Sequence, residues 1–330
     1  LGVLATLEYN PIYAAAACAA FFVPGVLLAL GSEKGRSSRG VALVVGVAAG
    51  LAVLGALGAF RVHAAAFGPT HPESATPAAP VTLVRWSWAG GVTDTGFRVV
   101  AKLTRDGRAR LLVSSDPRLV SARPSRSEVS SHDDNDRIVT FDVSGLEPGR
   151  RYFYAVAMDG IVDRPRLGRV RTPTREPFSF TFAFSGCARA GSNGAVFDAI
   201  RARDPFFFLI LGDFFYANID ENDPEEFRSQ YERALSRPAQ AALYRSTAVD
   251  YIWDDHDFGA NDSDSTSPSK PAALETYHGT APHHPLPDGG AIYHSFSVGR
   301  VRFIVTDTRA TRTPSTMLGA RQTAWLEQQL

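Results

Sequence analysis

An acidic run with one histidine, Tyr-Ile-Trp-Asp-Asp-His-Asp at 251–257, is the part of the sequence best equipped for chemistry. It begins apolar, as a buried strand does, and then places Asp254, Asp255, His256 and Asp257 on consecutive positions. Carboxylates crowded beside a buried strand repel one another and lose hydration, and a bound cation removes both penalties. The run therefore predicts a metal site; the alternative interpretation is a solvated acidic loop.

Three further runs have strand character and end in a possible ligand or charged group, and one of them, 206–211, is wholly apolar. These are 178–184 before Cys187, 206–211 before Gly212 and Asp213, and 301–305 before Asp307 and Arg309. A short, wholly apolar run is typical of a strand that is buried on both faces. Because sites in open α/β sheets form outside the carboxyl ends of the strands, the pattern predicts one site at one edge of a sheet.

These motifs, in this order, resemble the PhoD-like alkaline phosphatases, which are calcineurin-like metallophosphoesterases related to purple acid phosphatases. The matching segments are Ser185-Gly-Cys187, Gly212-Asp-Phe-Phe-Tyr216, Trp253-Asp-Asp-His-Asp257 with Asn261, Asp307-Thr-Arg309, and Leu318-Gly-Ala-Arg-Gln322 with Trp325 and Leu326. The resemblance extends from about Pro80 to Leu330, and Trp-Asp-Asp-His-Asp is its most specific part. It implies a metal-dependent hydrolase, an alkaline phosphatase or phosphodiesterase, that cleaves phosphate esters with a metal-activated water at a dinuclear site.

The resemblance implies a role for each site residue. Asp213 bridges the two metals, while Tyr216 and Cys187 bind the more oxidising ion. Asp255 is a ligand of the second metal, and His256 contacts the phosphate or protonates the leaving oxygen, with its pKa tuned by a neighbouring aspartate. Fe(III) with Ca(II) suits phenolate, thiolate and hard oxygen ligands, and the residues alone equally allow Zn or Mn.

Three of the predicted site residues also have a structural interpretation. The alternative for Cys187 is an inert buried thiol, and for His256 a histidine bonded to the neighbouring carboxylates. Arg309 could hold a phosphate oxygen through two hydrogen bonds, or form a surface ion pair with Asp307. The histidines at 278, 283, 284 and 294 are expected to play no part in the site, and the pair 283–284 between prolines indicates an exposed loop.

The resemblance also implies that part of the metal site is missing. Superfamily members complete it with histidines on later strands, in a Gly-Asp-x-His motif and a further histidine motif, and nothing after Leu318 supplies them. The chain begins with Leu rather than Met and stops in an expected helix, Gly319–Leu330, as a truncated sequence would. We therefore expect the 330-residue chain alone not to turn over a phosphate ester at an enzyme-like rate.

The elements that position these residues are expected to follow a membrane anchor, residues 1–66. It contains two apolar runs, about 12–30 and 41–60, on either side of a segment with three basic residues. Twenty residues at ~1.5 Å each reach across a ~30 Å hydrocarbon core, and a basic segment marks the cytoplasmic side. The pattern predicts a transmembrane helical hairpin in the cell membrane, with the catalytic domain extracytoplasmic; the alternative is that the second run is the core of a cleaved signal peptide.

Two folded regions are expected after the anchor. A Pro-rich linker, 67–80, leads into short strands with glycine turns over 81–174, a spacing that predicts a β-sandwich. The segment Leu146–Tyr152 resembles the tyrosine corner of fibronectin type III domains, so a fibronectin-III-like sandwich is expected. Alternating strands and helices over 177–330 predict the α/β metallophosphatase layer fold, incomplete at the C-terminus.

Charge and cysteine content limit the function classes. Lys and Arg number 34, as do Asp and Glu, so a formal charge of zero leaves no basic surplus, and no specific nucleic-acid binding is expected. The two cysteines, Cys18 and Cys187, are not expected to pair in a disulfide. The expected partners are a phosphate-ester substrate and, through the N-terminal helices, the lipid bilayer. A hypothesis from another class is a membrane-anchored surface binding protein whose metallophosphatase domain is a degenerate pseudoenzyme.

Overall fold

The computed structural model describes residues 82–125, 129–132, 136–188 and 192–330, together with helical backbone at the glycines 46, 50, 55 and 58. The chain divides into two units, and one of them, Thr76–Asn193 with Phe197–Leu330, contains almost every element given below. The predicted linker, 67–80, lies outside the described residues.

The predicted transmembrane hairpin is wrong. Within the described part of the chain, no helix is both long enough and apolar enough to cross a bilayer. The longest described helix has 12 residues and extends ~18 Å at ~1.5 Å per residue, short of a ~30 Å hydrocarbon core. Of the two apolar runs, 12–30 lies outside the described residues and 41–60 is described only at its four glycines. The hairpin is predicted from apolar composition and run length, and these two features alone do not establish that a helix spans a membrane. The extracytoplasmic position of the catalytic region stays a prediction.

The region of the predicted β-sandwich contains nine strands in the described residues. They are β1 (Val84–Thr93), β2 (Gly96–Leu103), β3 (Gly107–Ser114), β4 (Arg123–Pro124), β5 (Val129–Ser131), β6 (Ile138–Ser144), β7 (Arg151–Met158), β8 (Ile161–Val162) and β9 (Gly168–Arg171). Strands β1, β2 and β6 lie in one sheet and the other six in a second, and alternate side chains of both sheets pack into one apolar core. The hydroxyl of Tyr152 accepts the backbone N–H of Glu147 at 2.9 Å, a contact of the tyrosine-corner kind.

The region of the predicted α/β fold alternates strands and helices. The strands are β10 (Ala183–Ser185), β11 (Phe207–Leu211), β12 (Ala248–Ile252), β13 (His294–Val298) and β14 (Val301–Val305). The helices are α1 (Ala195–Ala202), α2 (Pro224–Leu235), α3 (Pro238–Ser246), α4 (Lys270–Thr280) and α5 (Gly319–Gln329). Helix α2 begins where Asp223 accepts the N–H groups of Glu225 and Glu226 and Pro224 occupies the first position, where a missing N–H costs nothing.

One sheet passes through both predicted domains. Its strand order is β10-β11-β12-β1-β2-β6, with β10, β11 and β12 parallel and a parallel contact between Gly90 of β1 and Val249 of β12. A Cβ at Gly90 would lie 2.2 Å from the carbonyl oxygen of Val249, so only glycine allows this approach. The boundaries 81–174 and 177–330 remain a prediction, and the shared sheet shows that the two regions are built on one framework.

Aromatic side chains fix the carboxyl ends of β11 and β12. Phe214, directly after Asp213, is fully buried and stacks on Trp88 of β1 with ring centroids 5.5 Å apart. Its ring also lies 5.3 Å from that of Tyr251 in β12. Because large buried rings pack in few orientations, Phe214 holds the residue before it in one position.

A buried histidine–carboxylate pair joins β12 to β13. The Nδ1–H of His294 donates to the carbonyl oxygen of Ile292 at 2.9 Å, and its Nε2 lies 2.9 Å from Oδ1 of Asp250. Burial alone would lower the pKa of His294, but the charge and hydrogen bond of Asp250 raise it above the ordinary value. Burial would raise the pKa of Asp250, and His294 lowers it. Each partner therefore favours the charged form of the other.

We expect His294 and His284 to contribute to the free energy of unfolding with opposite dependence on pH. The contribution of His294 is complete below its unfolded pKa, roughly 6.5, and is lost as the pH rises through the raised folded value. The contribution of His284, which stacks on His294, has the opposite sign. Burial lowers the pKa of His284 to about 4, so between about pH 4 and pH 6.5 the unfolded chain binds a proton that the folded protein does not, and this contribution is lost as the pH falls. Asp250, His283 and Arg98 also face His284.

Urea unfolding at about pH 5, 6.5 and 9, with each variant compared with the wild type, measures the two contributions. The contribution of His284 should fall by about 1.5 kcal/mol between pH 6.5 and 5, since each pKa unit is worth about 1.4 kcal/mol. His284→Phe should remove this loss and leave that of His283, whose pKa burial also lowers to about 4, and His294→Gln should remove the loss above pH 6.5. If neither variant changes the pH dependence of the wild type, the two histidines do not cause it.

Candidate metal centre

Asp213 lies where the sequence predicts it, directly after β11. Gly212 has φ +94° and Asp213 has φ +51°, so the chain leaves the strand in a sharp left-handed turn. Asp213 is 5% exposed, and its buried Oδ1 has no hydrogen-bond partner among the described groups. A buried carboxylate oxygen without a partner is costly, and a cation would satisfy it.

Three side chains from two strand ends meet at this position. Asp213, Asp255 and His256 each offer one ligand atom, and these atoms all lie within 4.8 Å of one another. Oδ2 of Asp255 accepts the backbone N–H of Asp262 at 2.6 Å. Burial would raise the pKa of Asp255, but this hydrogen bond and the charges of Arg309 and His256 lower it. The carboxylate is therefore ionised at neutral pH, as a metal ligand must be.

Cys187 and Tyr216 border the same group. The Sγ of Cys187 lies 3.4 Å from Oδ2 of Asp213, and its backbone N–H donates to the carbonyl oxygen of Gly212 at 3.1 Å. Partial loss of hydration raises the pKa of the Cys187 thiol, the charge of Asp213 adds to this, and a hydrogen bond with Tyr216 opposes it. The ring centroid of Tyr216 lies 4.3 Å from that of His256. The predicted ligands are thus neighbours, and their binding to metal stays a prediction.

His256 has a partner that the sequence does not indicate. Its Nδ1 lies 2.6 Å from Oδ1 of Asn218, in the loop after β11. Since an amide oxygen only accepts, Nδ1 carries the proton and Nε2 remains for the site. Asn218 has φ +53°, an uncommon backbone conformation for a residue other than glycine. Asn218 belongs to no recognisable motif, so sequence reasoning had no signal for it.

Asp257 fixes the local backbone. Its Oδ2 accepts the Tyr251 hydroxyl at 2.6 Å and the Phe214 N–H at 2.9 Å, and its Oδ1 accepts the Asp254 N–H at 2.7 Å. Burial raises its pKa to about 7. Its hydrogen bonds tie the turn after β11 to the turn after β12.

Arg309 faces the site through Asp254 and not through Asp307. Its Nε lies 2.5 Å from Oδ1 of Asp254, and its Nη2 lies 3.8 Å from Oδ1 of Asp255. The guanidinium is largely buried, so the surface-pair alternative does not describe it. Oδ1 of Asp307 instead accepts the backbone N–H of Arg309 at 2.9 Å and the indole N–H of Trp253 at 2.9 Å.

The histidine pair 283–284 is not the exposed loop that the sequence predicts. The His284 ring is 5% exposed and stacks on Phe296 with centroids 4.5 Å apart. His283 stacks on Tyr277 at 5.6 Å. Prolines on both sides indicate a loop, but the neighbouring aromatic rings bury it.

Comparison with known proteins gives one family match and two informative structural matches. Residues 182–330 match the PhoD-like phosphatase family model. A structure of PhoD has a TM-score of 0.65 and 18% identity, with 75% of this chain and 60% of that chain covered. Purple acid phosphatase PPD1 from yellow lupin (Lupinus luteus) seeds has a TM-score of 0.50 and 14% identity, with 77% and 48% covered. No curated protein sequence matches the chain.

These comparisons confirm the predicted resemblance. The family match falls on the region that contains every predicted site residue. The structural matches show that the chain shares a fold with PhoD and the lupin phosphatase, and at these identities they show the fold alone. The chain spans 60% of the PhoD chain and 48% of the lupin enzyme chain.

Proposed function

We propose that this chain binds metal at Asp213, Asp255 and neighbouring residues and hydrolyses phosphate esters with a metal-activated water. The main support is the unpartnered buried oxygen of Asp213 beside ligand atoms of Asp255 and His256 within 4.8 Å. Among the described residues, Arg309 is the arginine paired with Asp254 and Asp255, and Asp213 adds a third carboxylate beside Asp255, so the site has an excess of negative charge that a cation would neutralise. The family match of residues 182–330 supports phosphate esters as the substrate class.

The donor set fits the proposed dinuclear Fe(III)–Ca(II) site. Cys187 and Tyr216 offer a thiolate and a phenolate, which suit Fe(III), and Cys187 contacts both Asp213 and Tyr216. Asp255 offers the hard carboxylate oxygen that Ca(II) prefers. A bound metal pair would supply a hydroxide near neutral pH and stabilise charge on the phosphoryl oxygens.

His256 is proposed to hold the proton for the leaving oxygen. The Nδ1–H bond to Asn218 directs Nε2 away from that loop, and the packed ring of Tyr216 limits rotation of the imidazole. A positioned general acid contributes about 10²–10⁴-fold to such reactions.

Asn218→Ala should slow hydrolysis of esters with poor leaving groups far more than of esters with good ones. A leaving group of high pKa needs the proton of His256, whereas p-nitrophenolate leaves without it. We expect kcat/KM to fall about 10–100-fold for phenyl phosphate and about threefold or less for p-nitrophenyl phosphate. Asn218→Asp keeps the acceptor and should restore most of the loss. An equal loss across the ester series would show that Asn218 acts on folding or binding instead.

The full-length protein as the gene encodes it tests the proposal. It should hydrolyse p-nitrophenyl phosphate or bis(p-nitrophenyl) phosphate in proportion to its bound metal, and a chelator should abolish the activity. If the protein binds metal and hydrolyses neither ester, the proposed hydrolysis is contradicted and the hypothesis of a surface binding protein or pseudoenzyme is supported.

A further inference from the structure

A cluster of three arginines around one carboxylate lies at the opposite end of β11 from Asp213. Asp204 precedes β11 and Asp213 follows it, and the five strand residues at ~3.3 Å each separate them by about 16 Å. Oδ2 of Asp204 lies 2.6 Å from Nη2 of Arg151 and 2.8 Å from Nη2 of Arg171. Its Oδ1 lies 3.1 Å from Nη2 of Arg169.

The register of the sheet brings these arginines together. Arg151 of β7 stands directly opposite Arg171 of β9, and Arg169 lies two residues from Arg171, on the same face. Like charges directly opposite each other across two strands are destabilising. Asp204 compensates one of the three positive charges, although the chain as a whole has no net charge. The cluster thus has a local surplus of positive charge.

Two of the arginines have N–H donors that find no acceptor among the described residues. Within the described part of the chain, Arg151 donates only from Nη2 to the Asp204 carboxylate, and Arg171 only from Nη2 to the carboxylate and carbonyl oxygen of Asp204. A guanidinium has five N–H donors, so Nε and Nη1 of both residues have no acceptor among the described residues. The side chains of Arg151 and Arg171 are 38% and 34% exposed, so a ligand can reach them.

Arg171 also lines a cavity of about 480 Å³. Its other polar lining residues are Arg203, Asp204, Thr172, Thr174, Ser179 and Thr181. Guanidinium groups with unused donors and hydroxyl groups around an open cavity suit a tetrahedral oxyanion, which accepts several hydrogen bonds at once. Burial lowers the pKa of Arg169, and the positive charges of Arg151 and Arg171 add to this against the opposing charge of Asp204. An anion would relieve that repulsion.

We propose that Arg171 and Arg203, which line the cavity, together with the neighbouring Arg151 and Arg169, bind a phosphate-type oxyanion at a site separate from the metal centre. Asp204 holds the three arginines in place and leaves their outer donors to the ligand. Free phosphate and the phosphate groups of a polymer share this chemistry. The proposal does not depend on the proposed hydrolytic function.

Calorimetric titration of the Asp213→Asn protein tests this proposal without phosphate binding at the metal centre. Inorganic phosphate and a short polyphosphate are the two probes. We expect binding of at least one probe, weakened about tenfold or more when Arg171→Gln is added, since a lost charge-assisted hydrogen bond is worth about that factor. Arg118→Gln removes the same charge from an exposed pair with Asp116 and should leave binding unchanged.

The two probes distinguish the source of the ligand. Much tighter binding of polyphosphate, lost in the arginine variant, indicates a polymeric ligand, and equal binding per phosphate indicates the free ion. Arg151→Gln repeats the test if Arg171→Gln fails to fold, because Arg151 donates only to Asp204 among the described residues. If neither probe binds, or if both arginine variants bind as well as their parent, the cluster only links the two strands to Asp204 and the proposal is overturned.

Discussion

Asp213→Asn should remove the bound metal and lower kcat/KM for phosphate-ester hydrolysis by about 10³-fold or more. Asp213 is the only group of the candidate centre whose buried carboxylate oxygen lacks a partner among the described residues, and it lies next to Cys187 and Asp255. Changes to groups that merely support a metal ligand already cost about 10–100-fold, so loss of a shared ligand should cost more. Metal content per chain and kcat/KM measure the two effects.

The same substitution should not destabilise the metal-free protein. An amide at this position removes a buried charge that has no partner on one oxygen, so the urea midpoint in a chelator should stay the same or rise. In excess metal the wild type should gain stability by mass action and the variant should not. A purely structural aspartate would give the opposite pattern, with stability lost in the absence of metal.

Asp220→Asn provides the matched control. Asp220 is exposed in the same loop, and the substitution removes the same charge. It should leave metal content and activity unchanged. Wild-type metal content in Asp213→Asn would contradict the proposed centre.

Gly212→Ala should be the most destabilising small substitution near the site. A Cβ at this position would lie 2.4 Å from Cβ of Asp254 and 2.7 Å from its backbone nitrogen, and the backbone has φ +94°. The atoms that the added Cβ would meet are the Cβ and backbone atoms of Asp254, and these atoms cannot rotate away. We expect a loss of about 3 kcal/mol or more in the free energy of unfolding, together with loss of metal.

Urea unfolding compares this variant with Gly289→Ala. A Cβ added at Gly289 would meet no heavy atom within 4 Å, and the backbone there is not left-handed, so the substitution should change stability by roughly 0.5 kcal/mol or less. Similar midpoints for the two variants would show that the turn after β11 can rearrange, and that the conformation of Asp213 is not imposed by its neighbours.

Gly212 affects two turns, because its carbonyl oxygen joins the turn after β11 to the turn after β10. The carbonyl oxygen of Gly212 accepts the N–H of Cys187 at 3.1 Å, and that of Asp213 accepts the N–H of Ala188 at 2.8 Å. The turns after β10 and β11 are therefore hydrogen-bonded to each other. A change at Gly212 should move the Cys187 thiol and the Asp213 carboxylate together.

The sequence by itself determined which residues gather at the site. Asp213 follows an apolar run and a glycine, and Asp255 and His256 follow another apolar run, so each had to stand at the carboxyl end of a strand. Strand character and the turn after it depend on neighbours in sequence, which is why this part of the prediction needs no tertiary information. Run length and apolar composition alone, by contrast, led to the wrong transmembrane hairpin.

Only the tertiary structure decided which side chain faces which. Three carboxyl groups within four residues received different tasks: Asp254 pairs with Arg309, Asp255 faces the candidate metal centre, and Asp257 anchors the backbone. The bond between Asn218 and His256 and the contact of Gly90 with Val249 likewise join residues far apart in sequence. Local spacing fixes where a strand ends, but the partner of a side chain depends on which strands lie side by side and how their buried rings pack, and that is set by contacts across the whole sheet.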